Sequence, residues 1–570
     1  MPSTGSRARW IPPTLGLIAL LAAWGTPLEA LRAWLQHPHR AHAEEAAAQA
    51  AASARIGWTV GAVVLALLPL LLRDPNRLRA AKVDCRTLWL AMIAALVLRF
   101  SASTQSLWYD EIAPLATYIA HGPGVIIGNA FTTANHPLQS LLSWCCTPLG
   151  VEPWIRLPSM LSGVAAVLGA WWIGRATREG PRLGGAMAIA MAILPAAVNA
   201  GSEARGYGLM IAASSLSTGL LLMALRFGGS WRWIAYAIVL ALGVWAHFLT
   251  AMVGVGHAVV ALWMLRHAPE RRAAVLILRA VCCAGLLSLA LWSPALPDLL
   301  HTRGQFAAVR GNEPSLLGTQ GLLLLWQMVG MTPLPMHKAG IDGTRALLTA
   351  LPALALMAIG AATCFRDRQA RRALALAALG LPLAVLLAWL GGSWLYARFL
   401  LFAVPGTVLL LAAGARRLLD IMVAQRHAFA LRIACAQIVP LFICMCLAYD
   451  LGSGPRQPIR EAVARVAEHR APEDRVLGIG IADDVVQWYA LAFDLPIEPT
   501  GIGGERLPDA LARGDARWIV ALYPNHRHPE ASAKRLHELG FRRRPLNGFQ
   551  GWLDGGEGTV EVWERGSEGP

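Results

Sequence analysis

Residues 87–111 read TLWLAMIAALVLRFSASTQSLWYDE: an apolar run from Thr87 to Ser103, a short polar break, then Ser106-Leu107-Trp108-Tyr109-Asp110-Glu111. A helix crossing a bilayer needs about 17–25 mostly apolar residues. The run satisfies that length and is followed closely by two adjacent carboxylates. Similar runs recur along the chain. Giving each the length of one helix predicts about thirteen spans, near 11–30, 56–72, 87–103, 157–175, 183–200, 207–226, 233–249, 251–266, 279–297, 346–363, 373–390, 398–414 and 429–449. Composition agrees, with 56% hydrophobic residues, 15% charged residues and a mean hydropathy of +0.47. The chain reads as a polytopic α-helical membrane protein rather than a soluble enzyme.

A net charge of +15 raises nucleic acid as a partner, but the positions of the charges point elsewhere. Arg7 and Arg9 precede the first span, and Arg73, Arg77, Arg79, Lys82 and Arg86 separate the second and third. Further clusters are Arg175/Arg178/Arg182, Arg266/Arg271/Arg272, Arg366/Arg368/Arg371/Arg372 and Arg416/Arg417/Arg426. Thirteen alternating spans put every cluster in the cytoplasm, as the positive-inside rule asks. The amino terminus is then inside, while the carboxyl terminus and the Asp110–Glu111 loop are outside. No nucleic-acid partner is expected. The first apolar stretch reads as an uncleaved helix, and His37 to Arg55 as a short exposed helical loop. Nine cysteines, none beyond Cys446, lie mostly in or beside spans. They show no metal spacing or disulfide framework and read as buried structural thiols.

Three zones follow: 1–85 with two additional spans, 86–449 with the main bundle, and 450–570 as a small soluble α/β domain. In that tail Ile459–His469 is amphipathic, and Arg475–Ile481 reads as a strand. Asp484–Ala492 reads as a helix, Trp518–Leu522 as a strand, His528–Leu539 as a helix and Thr559–Trp563 as a last strand. His526 and His528 read as solvated loop residues. Two long outside loops run over 104–156 and 298–345. In the first, Leu138–Leu149 is short for a span and reads as an interfacial helix started by Pro137. In the second, Leu316–Met331 reads the same way, because a span there would move the next arginine cluster outside.

Asp110 and Glu111 are neighbours, so on any regular element their side chains diverge. One carboxylate can face a cavity while the other ties the loop down; a solvated turn at a helix mouth is the plainer alternative. Glu203 and Arg205 lie in Ser202-Glu203-Ala204-Arg205-Gly206-Tyr207, a short outside hairpin. They either cap the helices or present a guanidinium fork to an anion. Arg398, in Tyr396-Ala397-Arg398-Phe399, either snorkels or does the same. Two outside arginines run against the inside bias, and a lipid-linked phosphate explains both. A carboxylate would deprotonate an incoming hydroxyl or amine while the cations stabilise the departing phosphate.

Five motifs in order resemble the C-type (GT-C) membrane glycosyltransferases, in the branch of protein O-mannosyltransferases and lipid A aminoarabinose transferases. They are Asp110-Glu111, Asn135-His136-Pro137 ahead of the interfacial helix, Arg156 to Ser159, Ser202 to Tyr207, and Tyr396 to Leu400. The resemblance covers roughly residues 86–415. The family's His-Pro-Pro is here His136-Pro137-Leu138, and two spans precede its usual first one. The resemblance implies a GT-C-like bundle and a polyprenyl-phosphate sugar donor. It also implies catalytic Asp110 and Glu111, with Asp110 the general base, and substrate contacts from Asn135, His136, Glu203, Arg205, Tyr207, Tyr396 and Arg398.

The resulting expectation is an inverting glycosyltransferase at the periplasmic face of a bacterial inner membrane. It would move a sugar from the lipid carrier to an envelope lipid, glycan or protein. Some relatives use a divalent metal beside the acidic loop; nothing in this sequence demands one, and no other cofactor is implied. A lipid or glycan transporter or flippase would instead show charged residues inside spans, broken helices or paired repeats. A non-catalytic relative would use the tail as an interaction module.

Overall fold

The computed structural model describes residues 11–40, 42–75, 84–131, 135–300, 343–390, 397–424, 457–479, 483–500, 506–522, 529–544 and 560–566. The expected span at 429–449, the Leu316–Met331 helix, Tyr396, His526 and His528 lie outside these residues. The chain divides into two compact units. The first is drawn from 1–103, 121–332 and 347–447, and the second contains 104–120 and 448–570.

The helical unit begins with α1 (Ile11–Gly25), α2 (Leu28–Leu35), α3 (Ala43–Leu71) and α4 (Arg86–Ala102). After α5 (Tyr109–Thr117), which belongs to the second unit, it continues with α6 (Pro123–Gly128), α7 (Pro137–Cys146), α8 (Leu157–Arg175), α9 (Pro181–Ile193), α10 (Pro195–Ala200), α11 (Gly206–Phe227), α12 (Ser230–Ala246), α13 (Ala251–Met264) and α14 (Arg271–Trp292). Beyond residue 342 come α15 (Gly343–Arg366), α16 (Arg368–Ala378), α17 (Gly380–Leu390) and α18 (Val404–Ala424). Among the described residues six helical segments are long and apolar enough to cross a membrane. A seventh is counted if α1 and α2, bent by 98° at Thr26-Pro27, form one span. The chain is therefore a multi-pass membrane protein.

The deciding run forms α4, and its burial shows why. Leu88, Ala91, Ala95, Arg99 and Ala102 recur at helical spacing on the packed face, while Trp89, Leu90, Ile93 and Val97 are exposed, Leu90 by 68%. Large apolar side chains pointing outward suit lipid; small ones pointing inward allow close helix approach. The same logic joins α8 and α11. A Cβ on Gly169 would sit 2.5 Å from the Leu216 amide nitrogen, so only glycine allows that contact.

One expectation changes here. His37 to Arg55 is not simply an exposed helical loop, because from Ala43 it is the first part of the 29-residue α3. Ala50, Ala51 and Ala54 form a buried stripe against Leu31 and Leu35 of α2. Alanines at this spacing present a smooth face to a neighbouring helix, which composition alone reads as polar and plain.

Arg99 organises the approach to the Ser202–Tyr207 hairpin. Its guanidinium is fully buried and donates to the carbonyls of Ala95 (3.1 Å), Ala192 (3.1 Å), Met191 (3.3 Å) and Ala197 (3.1 Å). The break between α9 and α10 falls at Pro195. Within a continuous helix Met191 O would accept from residue 195, but proline has no N–H. Arg99 supplies the missing donor from the next helix, as a carbonyl at membrane depth requires.

The second unit holds a five-stranded mixed sheet of order β2-β1-β3-β5-β4. Its strands are β1 (Arg475–Ile479), β2 (Ile497–Pro499), β3 (Ala516–Leu522), β4 (Phe541–Arg543) and β5 (Val560–Arg565). β1 pairs in parallel with β2 and β3, whereas β5 pairs antiparallel with β3 and β4. Helices α19 (Ile459–His469), α20 (Asp483–Ala492), α21 (Leu507–Ala512) and α22 (Pro529–Glu538) complete it. Leu477, Ile519, Ala521, Leu536, Phe541 and Trp563 form the core on one face. The expected α/β tail is present; β2, β4 and α21 were too short to signal themselves by periodicity.

Candidate functional site

In the helical unit four of the predicted residues, His136, Arg205, Tyr207 and Arg398, gather where three helix ends meet. Pro137 opens α7 at its first turn, leaving His136 as the residue before it. Arg205 sits in extended backbone at the start of α11, with Tyr207 in the first turn. Arg398 and Phe399 lie on the 3-10 helix Ala397–Ala403.

A residue the sequence reading did not single out completes the group. His247 breaks the near-continuous apolar stretch 233–266 between α12 and the 3-10 turn Phe248–Thr250. The His247 ring stacks on His136 at 5.0 Å and 20°, and lies 5.1 Å from Tyr207 and 6.1 Å from Phe399. His136 also meets the Tyr207 ring edge-on at 5.6 Å. The guanidinium of Arg205 lies 5.8 Å from the centre of the Tyr207 ring, and both Arg205 and Arg398 act electrostatically on His136 and His247. Glu203 and Arg205 are buried. The signal for His247 was an ionisable residue, followed by Thr250, inside an otherwise apolar run.

Several side-chain hydrogen bonds hold this arrangement. Ser159 Oγ donates to Gln139 Oε1 (3.0 Å), Gln139 Nε2 to Ser143 Oγ (3.0 Å), and Ser143 Oγ to the Ile155 carbonyl (2.7 Å). These bonds tie α7 to the start of α8. Gly206 is required by close approach: a Cβ there would sit 2.3 Å from the Ala246 carbonyl and 2.9 Å from the His136 ring. Asn135 has a different place from the others. Its amide donates to the carbonyls of Ile126 and Asn129 (both 2.8 Å) and accepts from Ser140 Oγ (2.9 Å). Its carboxamide is engaged in holding the loop ahead of α7.

His136 has a definite chemical form. Its ring bonds the Ala246 carbonyl, while Nε2 is buried with no hydrogen-bond partner among the described residues. The proton therefore sits on Nδ1, and Nε2 presents a lone pair. Burial first, then the charge of Arg205, hold the imidazole well below its usual value of 6.5. The unfolded chain takes up this proton near pH 6.5, the folded chain only well below it, so the linked stability is full above that pH and falls as pH drops. Replacing the ring in His136→Asn should flatten the decline in thermal midpoint between about pH 7.5 and about pH 5. An unchanged slope in that variant would show that His136 is not the group responsible.

In the second unit Asp110 and Glu111 occupy the first turn of α5. Glu111 is buried, and its Oε2 accepts the Trp108 amide at 3.3 Å, so this carboxylate caps its own helix. Asp110 is half-buried, one position earlier. The two side chains thus leave the helix in different directions, as neighbours on a helix must. Among the described residues no group of three or more His, Cys, Asp or Glu side chains is arranged to hold a metal ion.

No protein-family model matches the chain, and no curated protein matches it by sequence. Solved structures give distant likenesses. ArnT from Cupriavidus metallidurans in the apo state is similar at 13% identity and a TM-score of 0.49, over 84% of this chain and 99% of that one. The same protein bound to undecaprenyl phosphate is similar at 14% identity and a TM-score of 0.46, over 86% of this chain and 100% of that one. The Archaeoglobus fulgidus oligosaccharyltransferase, in a complex with Zn and sulfate, is similar at 14% identity and a TM-score of 0.43, over 82% of this chain and 68% of that one.

Proposed function

We propose that the protein is a membrane glycosyltransferase moving a sugar from a polyprenyl-phosphate carrier to an envelope acceptor. The observation that carries this reading is the gathering of Arg205 and Arg398 around the neutral His136 and the rings of Tyr207, His247 and Phe399. Guanidinium forks of this kind suit the oxygens of a phosphate. A phosphate with an apolar tail provides the anion and suits a bilayer. The guanidiniums would stabilise the charge of the departing phosphate, and His136 Nε2 would accept a hydrogen bond from a sugar hydroxyl.

In this reading the acceptor's hydroxyl or amine attacks the anomeric carbon, and Asp110 takes its proton. The bond between that carbon and the phosphate oxygen breaks, releasing polyprenyl phosphate. A single displacement inverts the anomeric centre. The arginine clusters support an arrangement with this chemistry at the periplasmic face of a bacterial inner membrane, the amino terminus inside and the C-terminal domain outside.

A transporter would share two features of the chain, a charge buried in a helix and a broken helix. Here the Arg99 guanidinium closes onto the carbonyls of that break, so both serve packing. Mass spectrometry of envelope lipids and glycans from a strain lacking the protein should show one sugar missing. Wild-type protein should restore it, and an Arg205→Gln/Arg398→Gln double variant expressed at equal level should not. Unchanged lipids and glycans in the deletion strain would overturn the assignment.

A further inference from the structure

α5 is a poor helix by itself. It has nine residues, too few to be stable alone in water, and Pro114 removes the bond that would return to the Asp110 carbonyl. Its first residue follows Trp108, whose indole can only donate and cannot cap the exposed N–H groups. Glu111 satisfies one of them. The next is satisfied from far along the chain: the Tyr109 amide donates to Gln457 Oε1 at 2.7 Å. The Leu107 amide donates to the Tyr489 hydroxyl at 2.7 Å, and Ser106 Oγ to the Gln457 carbonyl at 2.8 Å. Gln457 is fully buried and Tyr489 nearly so. Gln457 lies two residues before α19, and Tyr489 lies on α20, which packs against α5.

We infer that Gln457 and Tyr489 are positioning residues for the acidic pair: the C-terminal domain caps α5 and thereby fixes the backbone that carries Asp110. The tail is then neither a passive appendage nor only an interaction module. Gln457 provides an acceptor for the Tyr109 amide beside the one that Glu111 gives to Trp108. This inference rests on the glycosyltransferase reading for its consequence in rate, and on hydrogen bonding alone for its consequence in order.

Both parts are tested on the full-length protein in proteoliposomes. Hydrogen exchange in Gln457→Leu should rise at least about ten-fold for the peptide spanning 104–117, while peptides from β1 and β3 keep wild-type protection. Gln457→Glu, which keeps an acceptor, should restore most of that protection. With synthetic undecaprenyl-phosphate hexoses and an undecaprenyl-phosphate amino-pentose as probes, transfer by Gln457→Leu should fall about ten-fold or more in kcat, with KM for the lipid within about two-fold. Tyr489→Phe should fall less, in the same direction. Wild-type exchange over 104–117 in Gln457→Leu overturns the inference, as does general loss of protection across the domain. If wild-type protein transfers none of the probes, or Asp110→Asn transfers them normally, the functional reading fails while the exchange result still decides the role of Gln457.

Discussion

Asp110→Asn should lower sugar transfer by about 10²–10⁴-fold, the range over which general-base catalysis contributes. The substitution preserves shape but removes the negative charge and with it the ability to take a proton. Glu111→Gln is the matched control. Glu111 accepts the Trp108 amide at 3.3 Å, and a glutamine oxygen still accepts there, so its loss should stay within about ten-fold. The pair is measured as turnover of synthetic undecaprenyl-phosphate sugars by protein at equal reconstitution. If Glu111→Gln fell further than Asp110→Asn, the roles of the two carboxylates would have to be exchanged.

Arg99→Ala should produce the largest loss of stability. Met191 and Ala192 accept from this guanidinium, and Met191 has no donor in its own helix because residue 195 is proline. Orphaning buried carbonyls costs about 1–3 kcal/mol each, and truncating a fully buried side chain adds a cavity. Roughly 4 kcal/mol or more is expected in total. In detergent this appears as a lower midpoint for loss of the monodisperse peak on heating. Gly163→Ala should be of similar severity, because its Cβ would sit 2.0 Å from Arg99 Nε. A wild-type midpoint for Arg99→Ala would mean the kink at Pro195 supports itself.

Much of the group in the helical unit could be read along the chain. His136, Arg205, Tyr207 and Arg398 stood out because charge or aromaticity at the end of an apolar run is costly and therefore conspicuous. His247 did not stand out, since a single histidine inside a long apolar stretch reads as part of a span until the helix is seen to break there. Asn135 stood out beside His136, yet its amide is engaged with Ile126, Asn129 and Ser140. Motif adjacency cannot separate a residue that faces a pocket from one that folds the loop beneath it.

The sequence alone determined the class and the α/β tail, because hydropathy acts locally along the chain. It also marked 87–111 as the deciding stretch. Only the tertiary structure decided how the acidic pair at its end is held. Glu111 accepts the Trp108 amide and Pro114 interrupts α5, while the amide of its first residue, Tyr109, is held by Gln457, 348 positions away. A hydrogen bond across that separation follows from how the chain folds back, and no local pattern encodes it.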